Sequence, residues 1–158
     1  MREKLFRFYK SPLILLYLAP VILLSISLFS GKVLFWGIPA LQFIPWRAYA
    51  YDALFHGEIP LWNSLNGMGT PLMANYQLAL FYPPSWLLIL FYKLGSMPWM
   101  AWGHTVLAVL HIIFAGVGMA RFIKRLGFSG ELNQLISGLS YSLGGYFAAR
   151  MYSHHGTL

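Results

Sequence analysis

The sequence predicts an all-α, multi-span transmembrane protein whose long outer first loop contains juxtamembrane helices. Three observations carry this. Only 9% of the residues are charged and 58% are hydrophobic, against roughly 25% charged in soluble domains. The bases cluster at Arg2–Lys10 and Arg121–Arg125, each touching an apolar run, which is the pattern of juxtamembrane positive charge. Between the first two apolar runs lies a stretch rich in Pro, Gly, Asn, Trp and Tyr, with only four charges from Lys32 to Tyr92. The net charge of +7 does not indicate nucleic acid, because the bases do not form a continuous footprint. With no cysteine, the chain has no disulfide or thiolate metal site.

The first span is Ser11–Gly31, uncharged and preceded by Arg2, Lys4, Arg7 and Lys10. A spanning helix needs about 20 residues. Ser25-Ile26-Ser27 resembles the small-x-small end of a cleaved leader. The run is long for a leader, however, and more apolar runs follow, so a retained anchor is the reading adopted. The second span is Pro98–Ala120, ending at Arg121, Lys124 and Arg125. Leu132–Ala149 is a third span, diluted by Asn133, Gln134, Gly138, Gly144 and Gly145. The whole chain forms one transmembrane module, expected to be part of a longer polypeptide.

Topology decides the segment between the first two spans. A basic N-terminus belongs in the cytoplasm. If Leu78–Tyr92 crossed the bilayer, Arg121–Arg125 would land outside. Trp86–Tyr92 is therefore expected to be a short interfacial or re-entrant helix, with residues 32–97 outside. Arg150–Leu158 would emerge on that same outer side.

Within the outer loop, Pro45 stands where a first-turn proline belongs and Gly57 where a glycine follows a helix end. A helix over Trp46–Phe55 follows, with Trp46, Tyr49 and Ala53 turned to the membrane or the spans. Asp52 and His56 are four apart and share a face, whereas Arg47 does not share it with Asp52. Gly67, Gly69 and Pro71 make Asn63–Met73 irregular backbone. The plain reading of this loop is a folded-back cap; the sharper one is a substrate cleft.

No glycine-rich phosphate loop, HExxH or nucleophile elbow is present. His104 and His111, seven apart on one face of a span, suit interhelical hydrogen bonds better than a proton relay or a metal. Adjacent histidines such as His154-His155 point about 100° apart on a helix, so no metal site is assigned to them.

The order Q-F-x-P-W-R, G-E-I-P-L-W-N, G-x-G-T-P-L-M-A-N-Y-Q and F-Y-P-P resembles the first outer loop of the YfhO-like bacterial membrane proteins. Gly144-Gly145-Tyr146 through His154-His155 is similar to that family's next outward segment. The resemblance covers Lys32–Leu158, and its specific part runs from PLWN to ANYQ. It implies a GT-C class glycosyltransferase of the bacterial inner membrane, multi-pass with a cytoplasmic N-terminus. Such an enzyme uses a polyprenyl-phosphate sugar as donor on the outer face and serves the cell envelope. It also implies an acid a few residues before the glutamine matching Gln42, but Gly37–Leu41 holds none.

Sugar transfer from a lipid phosphate needs a base for the acceptor hydroxyl and cations or donors for the departing phosphate. The loop's two acids, Asp52 and then Glu58, are the catalytic candidates. Arg47, Arg150, His154 and His155 could hold phosphate. Trp62 offers a flat face to a sugar, and Asn63, Asn75 and Gln77 offer donors and acceptors. The residues fix no cofactor, and a divalent cation stays open. The expected partners are membrane lipid, the lipid-linked sugar and further polypeptide or other membrane subunits. Two other function classes stand beside this one. A transporter or flippase would use ionisable residues within spans. A non-catalytic envelope scaffold would fit the missing early acid.

Overall fold

In this computed structural model the structure describes residues 11–31 and 39–145. The chain is mostly helical. Its principal elements are α1 (Leu15–Leu23), α2 (Ser25–Phe29), α3 (Ile44–Phe55), α4 (Trp86–Arg125) and α5 (Glu131–Ser142), with one antiparallel bridge between β1 (Trp62–Asn63) and β2 (Thr70–Pro71). The chain divides into two compact units. One gathers the described residues up to Ser30 and from Ala108 onward, the other holds Gly31–Leu107, and the boundary falls inside α4.

α3 follows the expected brackets. Pro45 sits in its first turn, and Gly57 takes φ +77° just past its end. The end is closed by Gly57 N–H donating to Leu54 O at 3.1 Å and Glu58 N–H to Ala53 O at 2.9 Å. This paired 5→2 and 6→1 closure needs a left-handed residue, which glycine adopts without strain. Ile44, Ala48 and Tyr51 recur at i, i+4 and i+7 and are buried, as is Ala50, whereas Trp46, Tyr49 and Ala53 are only half-buried. The small alanines let the helix sit close to its neighbours, so the bulkier Trp46 and Tyr49 are left to pack at the margin.

The stretch expected to be irregular contains the bridge, with Trp62 opposite Pro71 and Asn63 opposite Thr70. This small sheet is the one departure from an all-helical architecture among the described residues. Gly67 and Gly69, both at positive φ, turn the chain between the two strands. Leu72 N–H donates to Leu61 O at 2.9 Å and extends the pairing. Leu72 and Leu78 are buried with Ala48, Tyr51, Leu88 and Met100 in one core.

α4 is not straight. At Gly95 and Ser96 the backbone leaves helical geometry, Ser96 taking φ +61°. The arm before the kink folds back along the arm after it. Phe91 meets Trp102 edge-on at 5.4 Å between ring centroids. A side chain at Gly103 would stand 2.6 Å from Phe91 and 3.2 Å from Leu88. Contacts 88 to 103 and 91 to 102 run antiparallel, so the two arms form a helical hairpin. The short helix expected at Trp86–Tyr92 is the first arm. The second arm, residues 97–125, is about 43 Å long at 1.5 Å per residue.

By length and composition α4 is long and apolar enough to cross a membrane, with a mean hydropathy of 2.1 in its most apolar window, and no other helix among the described residues is. The run expected as the first span is helical but broken. α1 and α2 meet at Leu24, with Pro20 inside α1 contributing no backbone N–H. α5 covers 12 residues, about 18 Å of helix. Residues 146–149 of the expected third span lie outside the described residues.

In the unit formed by the described residues up to Ser30 and from Ala108, helices meet through small residues. A side chain added at Gly138 would lie 2.8 Å from Gly116 O and 2.6 Å from Leu16; one added at Gly116 would lie 3.0 Å from Ser142 Oγ. Leu16, Ala120 and Leu135 are buried around this contact.

Candidate functional site

The unit Gly31–Leu107 carries the candidate site on two faces of α3. Arg47, in the helix's first half, is half-buried. Its Nε–H donates to Leu78 O at 3.1 Å, and its Nη1 bonds His104 Nε2. His104 Nδ1 lies 2.8 Å from Met100 O, one turn back on α4. A carbonyl only accepts, so Nδ1 carries the proton and Nε2 is left to accept from the guanidinium. This fixes His104 as the neutral tautomer. One arginine thus ties α3, the turn before α4 and the second arm of α4 together. Among the described residues it has no carboxylate partner. Burial lowers its pKa from the usual arginine range, and the buried Tyr51 hydroxyl nearby opposes that shift. Burial likewise pushes the Tyr51 phenol up, with Arg47 opposing.

Asp52 stands on the other, exposed face. Tyr92 O–H donates to its Oδ1 at 2.9 Å. Tyr92 is itself held by Phe55, stacked at 6.2 Å, and by Tyr51, tilted at 5.9 Å. Oδ2 has no partner among the described residues. The sequence placed His56 beside Asp52, but its Nδ1 instead bonds the Asp52 backbone carbonyl at 2.7 Å. The last turn of α3 offers that carbonyl at shorter reach than the side-chain carboxylate. Tyr92 is the partner that spacing along α3 did not reveal, because it lies 40 residues on and only the fold-back of α4 presents it.

The remaining candidates divide by what they touch. Trp62 is half exposed, at 52%, and its indole lies over Gly69, where a side chain would come within 2.3 Å of the ring. Asn63 is buried, and its Oδ1 accepts from Leu65 N–H at 2.9 Å. Asn75 Oδ1 accepts from Gln77 N–H at 3.0 Å and starts the short helix Tyr76–Leu78. Both asparagines therefore serve turns through Oδ1, a use of Asn common in loops, with Asn63 buried and Asn75 partly exposed. Gln77 and Glu58 are exposed. Arg150, His154 and His155 lie outside the described residues, so their approach to the α3 face is not part of this geometry. Among the described residues, no group of three or more His, Asp or Glu is arranged to hold a metal ion.

The turn into α4 is fastened by side-chain bonds to its own carbonyls. Ser85, buried, donates to Ala79 O or Tyr82 O, both at 2.7 Å, and Trp86 Nε1–H donates to Leu80 O at 3.0 Å. Ala79 accepts φ +51° within it. The F-Y-P-P segment is thus a fixed corner that aims the first arm of α4, and with it Tyr92, at α3.

No protein-family model, curated protein or solved structure matches the chain.

Proposed function

We propose that this chain belongs to a multi-span membrane protein of the GT-C type, transferring a sugar from a polyprenyl-phosphate donor on the outer face of the bacterial inner membrane. The observation that carries the reading is Asp52: an exposed carboxylate with one oxygen held by Tyr92 and the other without a partner among the described residues, in the same loop as the PLWN-to-ANYQ block and its exposed Trp62. A base must be oriented and still have a free lone pair for the acceptor hydroxyl. Oδ2 meets that requirement, and the half-exposed indole of Trp62 is suited to a sugar ring. The apolar length of α4 and the small-residue contact of Gly116 with Gly138 support the membrane setting, since membrane helices pack through such residues.

Within this reading the bonds these residues make suggest their roles. Arg47 is occupied by His104 and Leu78, so its part is to fix the site's frame. Asn63 and Asn75 do the same for the loop. Asp52 remains the base, with Glu58 second.

A non-catalytic scaffold of envelope assembly is the second reading. It is favoured by the use of Arg47, Asn63 and Asn75 in internal bonds. Sugar transfer in membranes carrying Asp52→Asn separates the two. The enzyme reading expects transfer to fall about 10²- to 10⁴-fold at unchanged expression. Unchanged transfer removes Asp52 as the base, and no transfer by the parent protein with any polyprenyl-phosphate sugar favours the scaffold.

A further inference from the structure

We propose that the turn joining α4 to α5 is a binding site for one anionic phospholipid, with the phosphate on the cations of α4 and part of an acyl chain in the cleft beside them. Arg121, Lys124 and Arg125 close α4 and are exposed. None has a carboxylate partner among the described residues. Glu131 is the only acid from Ile59 to the end of the sequence, so the turn carries three cations against one carboxylate. Beside it lies an open cleft of about 270 Å³ lined by Ile123, Phe128, Asn133, Ile136 and Ser137. Phe128 and Ile136 are 57% and 62% exposed.

Cations at a helix end complement its dipole, which accounts for Lys124 and Arg125 but not for an apolar cleft next to them. A soluble anion would use the cations and leave Phe128 and Ile136 in water. An amphiphile with a phosphodiester head satisfies both, its charge complementary to the turn and its tail to the cleft. The amides and hydroxyls of Asn133 and Ser137 can meet the ester region between. Basic residues beside a spanning helix attract anionic lipid by about 1 kcal/mol each, or about fivefold in affinity per charge. The proposal rests on the membrane setting given above, not on the sugar chemistry.

The test uses the full chain in detergent micelles, with native mass spectrometry counting retained lipid. Dioleoyl phosphatidylglycerol is compared with dioleoyl phosphatidylcholine, which has the same tails and no net charge. The expected result is one phosphatidylglycerol retained in clear preference. The triple variant R121Q/K124Q/R125Q should lower that retention about a hundredfold and leave phosphatidylcholine unchanged. Phe128→Ser with Ile136→Ser should lower phosphatidylglycerol retention while all three cations remain. These residues are exposed, and an unchanged circular dichroism spectrum verifies the fold. Equal retention of the two lipids, an unaltered triple variant, or displacement by inorganic phosphate at lipid concentrations overturns the proposal. Failure of the chain to float with neutral phosphatidylcholine vesicles would instead remove the membrane setting itself.

Discussion

Glycine serves both units, but in opposite ways. In the unit Gly31–Leu107 it lies under aromatic rings: Gly69 under Trp62, Gly95 under Trp99 and Gly103 under Phe91. In the other unit Gly138 lies against a backbone carbonyl, that of Gly116. A ring can turn about its side-chain torsions when crowded; a helix backbone moves only with its whole helix. Equal substitutions should therefore cost less under a ring than against a carbonyl. The first unit also fastens its segments with directed polar bonds, Arg47 to His104 and Ser85 to two carbonyls. The second also brings helices to close approach, and its buried Ser142 Oγ has no partner among the described residues.

The largest effect is expected at Gly138→Leu. Its Cβ would need to displace Gly116 O and Leu16, a cost of about 3 kcal/mol and a fall in Tm of roughly 10 °C for a chain of this size. Thermal unfolding in detergent measures it. A fall no larger than that of a surface control would refute the backbone contact. Arg47→Ala comes next, with a loss of about 2 kcal/mol from two bonds made by a charged group. A double-mutant cycle with His104→Ala should give a clear coupling energy; strict additivity would mean that the two do not act together. Gly69→Ala follows at roughly 1 to 2 kcal/mol, combining a positive φ with a crowded indole. It should also alter Trp62 fluorescence, which no substitution at Gly138 should do. Smallest, and opposite in sign, is Ser142→Ala. Removing a buried hydroxyl without a partner among the described residues should stabilise the chain by up to about 1 kcal/mol. Destabilisation there would show that the hydroxyl is bonded in solution.

Much of the site's frame was legible in the sequence. Pro45 and Gly57 bracket α3 through rules that act within one turn, and Asp52 and Arg47 fall on different faces by helical spacing alone. The bridge Trp62–Asn63 to Thr70–Pro71 was not legible, since Gly67, Gly69 and Pro71 read equally well as plain loop. His104 as the partner of Arg47 was hidden for another reason. The two are 57 residues apart, and no local rule selects among so many candidates.

By itself, then, the sequence determined the helical composition, the apolar run of α4, the basic residues at its end and the brackets of α3. Each depends on residue type and short-range spacing, which act before any long-range contact forms. Only the tertiary structure decided that α4 folds back at Gly95 and Ser96, that Tyr92 reaches Asp52, and that Arg47 bonds His104 and Leu78 O. Those outcomes depend on which surfaces meet. Here it is the lack of a side chain at Gly103 that lets Phe91 and Leu88 settle against the second arm and carry Tyr92 to α3.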